Sequence, residues 1–126
     1  MTTKREQVYS DSDIAARLVG ELRHWRHVDG ALARVYRTKD WKATLLAAGA
    51  VAHLAEAAWH HPEMILAYPS LEVRLNTHSA GGVTDKDFEL ARKIEAVIGW
   101  RPGAEGGALE GTPEDVGYIA PDRGAD

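Results

Sequence analysis

Apolar positions along this 126-residue chain recur with two periods, one helical and one strand-like. From Ser10 the pattern predicts a helix ending near Arg23, because Ile14, Leu18, Val19 and Leu22 share one face and Ser10 with Asp13 resembles a capping box. Residues 25–28 and 31–37 predict two short strands around Asp29-Gly30, a dipeptide suited to a tight hairpin turn. Trp41, Leu45, Ala48, Ala52, Ala55 and Trp59 then draw an apolar stripe along a long second helix, whose small residues suggest close packing on a sheet. Pro62 is expected to stop that helix and leave His60 and His61 at its end. Residues 64–68 predict a third strand. Leu71, Val73 and Leu75 alternate with Glu72, Arg74 and Asn76 as in a half-buried fourth strand, with His78 on its polar register. Thr84 and Asp87 open a last helix with the stripe Phe88, Ala91, Ile94 and Ile98.

The order αββαββα predicts an α+β two-layer sandwich, a four-stranded antiparallel sheet with three helices on one face. It occupies residues 1–100. Residues 101–126 hold six of the 12 glycines and three of the five prolines, so no periodic element is expected there, although Val116, Tyr118 and Ile119 are candidates to dock.

Composition narrows the function classes. With 44% hydrophobic and 27% charged residues the chain reads as one ordinary soluble domain. It has no apolar run near the roughly 20 residues of a membrane span and no signal-peptide core, so a cytoplasmic location is expected. Cysteine is absent, which leaves chemistry to His, Asp, Glu or the backbone. The net charge of -4 is uneven: residues 1–100 carry 13 basic against 13 acidic side chains, and residues 101–126 two against six. A neutral body gives no footprint for direct nucleic-acid binding, while the acidic tail suits a basic protein partner.

Glu56, His60, His61, His78 and Asp87 fall within 32 residues, and histidine suits proton transfer near neutral pH. On a helix Glu56 and His60 share a face, so the carboxylate can orient that imidazole, while His61 points about 100° further round. A metal site from Glu56, His60 and His78 is disfavoured, since the chain lacks a His-Glu-x-x-His motif and any cysteine pair. Ser79 has no nucleophile-elbow context. His24, His27 and His53 read as structural.

These residues carry a family resemblance. The runs Ala55-Glu56 and His60-His61-Pro62-Glu63, then Tyr68, Val73, Leu75, Thr77-His78, Gly81-Gly82, Thr84 and 87–91 (Asp-Phe-Glu-Leu-Ala), closely resemble pterin-4a-carbinolamine dehydratases. Trp25, Gly30, Leu32, Arg34 and Tyr36 fit that family's first hairpin, so the resemblance covers residues 10–98. It implies the same sandwich and a hydro-lyase reaction, loss of water from 4a-hydroxytetrahydropterin to give quinonoid dihydropterin. The pterin is then the substrate, and no metal or organic cofactor is needed. It implies His60, His61 and His78 as the acid-base, pterin-contacting trio, Glu56 orienting an imidazole, and Asp87 supporting the loop that holds His78. Pro62, Met64, Asn76, Thr77 and Ser79 are implied as substrate-binding positions, and a homodimer or homotetramer as the assembly. Met64, Trp59 and Pro69 depart from the family's usual residues. The alternative is a dehydratase-like binding module, an assembly factor for a protein such as RuBisCO or a dimerisation partner; retention of all three histidines favours the enzyme.

Overall fold

The computed structural model describes residues 6–122. Its elements are α1 (Asp11–Arg17), β1 (Arg26–Val28), β2 (Ala31–Arg37), α2 (Trp41–Ala58), β3 (Glu63–Ala67), β4 (Ser70–Leu75) and α3 (Asp85–Ile98), with short 3-10 turns at Gly20–Leu22, His78–Ala80 and Pro102–Ala104. The strands form one antiparallel sheet in the order β1-β2-β4-β3. This is the α+β sandwich that the pattern predicts. Asp29 (φ 50°) and Gly30 (φ 75°) both take left-handed geometry, as a two-residue hairpin turn with the right twist requires.

Register fixes the core. Leu32 pairs with Leu75, Arg34 with Val73 and Tyr36 with Leu71, and all six are buried beneath the helices. Val35 and Ile65, on the opposite face, stay exposed. Phe88, Ala91, Ile94 and Ile98 of α3 are all buried, as their spacing predicts.

Three expectations fail locally. α1 ends at Arg17 rather than near Arg23: Leu18 leaves helical geometry (ψ 59°), and Leu22 reaches the core from the 3-10 turn while Val19 is exposed. In α2 the buried face is Ala43, Thr44, Ala47, Ala48, Val51 and Ala55, so the predicted stripe was right only at Ala48 and Ala55. Small side chains let this helix lie close to its neighbours, while the bulkier Trp41 and Leu45 remain 45% exposed. His78 is not on a strand: β4 ends at Leu75, and His78 opens the 3-10 turn.

The tail docks. β1 pairs only with Ala31–Ala33, which leaves the far end of β2 open on that side. There Lys39 donates its amide to the Tyr118 carbonyl (3.0 Å), Ala120 donates to the Arg37 carbonyl (2.8 Å), and Thr38 bridges Ile119. Ile119 packs on the core; Val116 is exposed.

Candidate active site

α2 ends in a left-handed turn at a residue that is not glycine. Trp59 has φ 53° and ψ 48°, its amide donates to the Glu56 carbonyl (3.2 Å), and the His60 amide donates to the Ala55 carbonyl (3.1 Å). That pair of bonds is a Schellman closure, which usually places glycine at the reversing position. The helix therefore stops at Ala58, ahead of Pro62 and for a backbone reason of its own.

This reversal exchanges the partners expected of a continuous helix. Glu56 reaches His61 rather than His60, with its Oε1 2.9 Å from His61 Nε2. His60 swings toward α3, where its Nε2 lies 2.6 Å from Asp87 Oδ1. The two pairs differ in burial: the His60 and Asp87 side chains are 13% and 0% exposed, those of His61 and Glu56 51% and 69%. The Trp59 ring meets the His61 ring edge-on, with centroids 4.9 Å apart.

Asp87 is the hub. Its Oδ2 accepts from the Thr77 hydroxyl (2.8 Å) and the Thr84 amide (2.9 Å), so the residue that caps α3 also fixes Thr77, the neighbour of His78. The hydroxyls of Thr77 and Thr84 lie 2.6 Å apart. Thr77 is buried and bridges Gly82 through its backbone, and its hydroxyl, shared between Thr84 and Asp87, is committed to the turn. His78, Asn76 and Ser79 are exposed around it, while Pro62 and Met64 are half-buried. An ionised carboxylate only accepts, so an imidazole paired with it places a proton on Nε2, and neither Nδ1 has a hydrogen-bond partner among the described residues.

One site neighbour had no signal in the periodic pattern. Glu6 accepts from the Ser79 hydroxyl (2.8 Å) and pairs with Lys86 on the first turn of α3. The Lys86 ammonium and the Ser79 hydroxyl hold its carboxyl below the ordinary value, with the charge of His60 adding a smaller pull.

The opposite end of α3 holds a second polar cluster. Glu95 accepts from Trp25 Nε1 (2.9 Å), Arg34 Nε (2.9 Å) and the Tyr36 hydroxyl (2.8 Å) through Oε1, and from Arg34 Nη2 (3.0 Å) through Oε2. Asp122 of the tail takes Arg34 from the other side in a bidentate pair, both bonds 2.8 Å. Burial pushes the Glu95 and Asp122 carboxyls up, but the bonds and charge of Arg34 outweigh it, and both sit below their ordinary values. His24 lies 3.9 Å from Asp122, His27 lies 3.9 Å from Asp11, and His53 is exposed, so none of these three joins the cluster around Asp87. A cavity of about 1510 Å³ lies under the tail among Val97, Trp100, Leu109 and Tyr118, away from His60, His61 and His78.

A family model described as pterin 4 alpha carbinolamine dehydratase matches residues 7–97. The chain belongs to this family. A relative from Aquifex aeolicus is 38% identical over 77 residues, 61% of this chain and 78% of that one. One from Haloarcula marismortui is 40% identical over 88 residues, 70% of this chain and 92% of that one. Both are named, provisionally, pterin-4-alpha-carbinolamine dehydratases. The crystal structure of a transcriptional coactivator/pterin dehydratase from Brucella melitensis superposes with a TM-score of 0.64 at 33% identity, covering 72% of this chain and 98% of that chain. The dehydratase family span thus includes the Asp87 hub and Glu95, whereas Asp122 lies beyond it. Among the described residues no helix is long and apolar enough to cross a membrane.

Proposed function

We propose that this chain dehydrates 4a-hydroxytetrahydropterin to quinonoid dihydropterin and water, with His60, His61 and His78 as the acid-base groups. The observation that carries the reading is the buried Asp87 carboxylate, which grips His60 through one oxygen and the residue before His78 through the other. The reaction asks little more: a proton is delivered to the 4a-hydroxyl, which leaves as water, and a proton is taken from N5. Nδ1 of His60 and of His61 is the atom on each ring suited to that exchange. Pro62, Met64, Asn76, Thr77 and Ser79 are the proposed pterin-contacting positions beside the histidines, and a homo-oligomer in the cytoplasm the proposed setting.

The competing reading, a binding module that recognises a basic partner, draws on Glu105, Glu110, Glu114 and Asp115, all exposed on the tail. One assay separates the two. Dehydration of enzymatically generated 4a-hydroxytetrahydropterin is measured for the wild type and for His60→Ala, His61→Ala and His78→Ala. Rate losses of about 100-fold at His60 and His78 are expected; rates equal to wild type in all three variants would sink the enzyme reading.

A further inference from the structure

We propose that the N-terminal strap, residues 6–9, holds the His78 turn in place for catalysis, with Glu6 as a positioning residue that acts through Ser79. The proposal rests on the dehydratase reading for its kinetic part only.

The strap is held against the turn and the start of α3 by Tyr9, Val8 and Glu6. Tyr9 donates its amide to the Val83 carbonyl (2.9 Å), and its ring meets Phe88 edge-on with centroids 5.2 Å apart. Its hydroxyl bonds the Asp85 carboxylate in the first turn of α3. Val8 covers Gly82 so closely that a Cβ there would meet the Val8 side chain at 2.7 Å, which explains a glycine whose own φ is not in the left-handed region. Glu6 completes the set, its carboxylate shared between Ser79, inside the His78–Ala80 turn, and Lys86. The Glu6 side chain is 22% exposed.

The consequence is a second tie between the histidines. Asp87 holds His60 and Thr77 to the start of α3; Glu6, through Lys86, ties Ser79 to the same start of α3. The turn carrying His78 is thus fixed on both flanks relative to His60. It follows that the Ser79 hydroxyl serves the turn, and that only the backbone of Ser79 is left to meet a substrate. Reacting groups held out of place by about 1 Å lose rate without losing binding in proportion, so the expected signature falls on kcat rather than KM.

The test uses the full-length chain as wild type, Glu6→Ala, Ser79→Ala and the double variant. Each single substitution is expected to lower kcat about tenfold with KM within about twofold, and the double to fall no further than the worse single, because the two groups form one link. Histidine ring signals are followed by NMR across pH without substrate, His78 being assigned by its loss in His78→Ala. The His78 signal is expected to move in both singles while His24, at the far end of the sheet, stays in place. A wild-type kcat in both singles, additive losses in the double, or an unmoved His78 signal overturns the proposal. If the wild type fails to dehydrate the pterin, the enzyme reading falls, and the His78 signal alone decides the strap: movement sustains it and constancy overturns it. Should Glu6→Ala fail to fold, Ser79→Ala, which removes one exposed hydroxyl, carries the same measurements.

Discussion

The two ends of α3 present the same chemical group in opposite company. Asp87 and Glu95 stand eight residues apart, about 12 Å along the axis. Each is a carboxylate that gathers several donors from other elements. Asp87 binds an imidazole and two threonines; Glu95 binds a guanidinium, a phenol and an indole. The partners decide what each end does. Imidazole gives and takes protons near neutral pH, whereas guanidinium stays charged at any accessible pH and offers a rigid fork for carboxylates. Burial of Arg34, 3% exposed, further commits that end to structure, and it draws the tail in through Asp122. The first end thus has a group that can change state, and the second a group that cannot.

The largest effect of a single substitution is expected at Glu95. Among the described residues, Glu95→Ala leaves Arg34 with Asp122 as its one remaining acidic partner and strands the Tyr36 hydroxyl and the Trp25 indole. Removing one partner of a buried ion pair costs about 3–5 kcal/mol, a large share of a small domain's stability. Urea denaturation is expected to show that loss, while the dehydration rate per folded molecule stays at the wild-type value. A rate loss in the folded fraction would show that the two ends are coupled through α3, and the division of labour drawn above would fail.

The converse substitution is Asp87→Asn. It keeps the size and part of the cap on α3 but removes the carboxylate that fixes the proton on His60 Nε2. We expect kcat to fall about 100-fold, in the range that positioned acid-base groups contribute. The loss of stability should be smaller than for Glu95→Ala. Steady-state kinetics beside a denaturation curve check both; a variant that loses stability but keeps its rate would mark Asp87 as a helix cap alone.

How much of this was legible follows from where each constraint resides. The hairpin at Asp29-Gly30, the alternation of β4 and the Thr84/Asp87 cap are local, written within a few residues, and the structure has them as the pattern predicts. The buried face of α2 departs from the stripe that spacing predicts because Ala43, Thr44 and Ala47 allow a closer approach to neighbouring elements than Trp41 and Leu45 would. The partner exchange at Glu56, His60 and His61 was beyond reach: it hangs on Trp59 turning left-handed, which nothing in a tryptophan announces. Glu6, Arg34 and Asp122 were also illegible as partners, since their contacts span 73, 61 and 88 residues of chain. Arg34 alone gave a signal, a charge standing between Leu32 and Tyr36 on the inner register of β2.

Acid acts on the two ends unequally. Because the Glu95 and Asp122 carboxyls sit below their ordinary values, the folded chain binds fewer protons than the unfolded one at mildly acidic pH. Their stabilisation is complete above about pH 4.3, the ordinary glutamate value, and is lost as pH falls through the lower folded values. Glu6 adds the same sign from the other end, weakened by solvent. Urea midpoints between about pH 6 and pH 3 should therefore stay level and then drop, and Asp122→Asn should flatten the drop. An equal drop in that variant would place the acid sensitivity elsewhere.

The smallest effect is expected at Trp59, and its sign is the informative part. Left-handed geometry costs a residue with a Cβ about 1–2 kcal/mol, and glycine at this position of a Schellman closure avoids that cost while losing more entropy from the unfolded chain. Trp59 is 75% exposed, so its ring recovers little by burial. Trp59→Gly should therefore raise stability by about 1 kcal/mol. The same change removes the ring that stands edge-on to His61 and frees that imidazole, so the dehydration rate should fall, though less than for Asp87→Asn. A gain in stability with a loss in rate would locate strain at the histidine end of the molecule, where the proposed chemistry is; a loss in stability would mean that the ring's contacts outweigh the backbone cost and that Trp59 belongs with the structural residues instead.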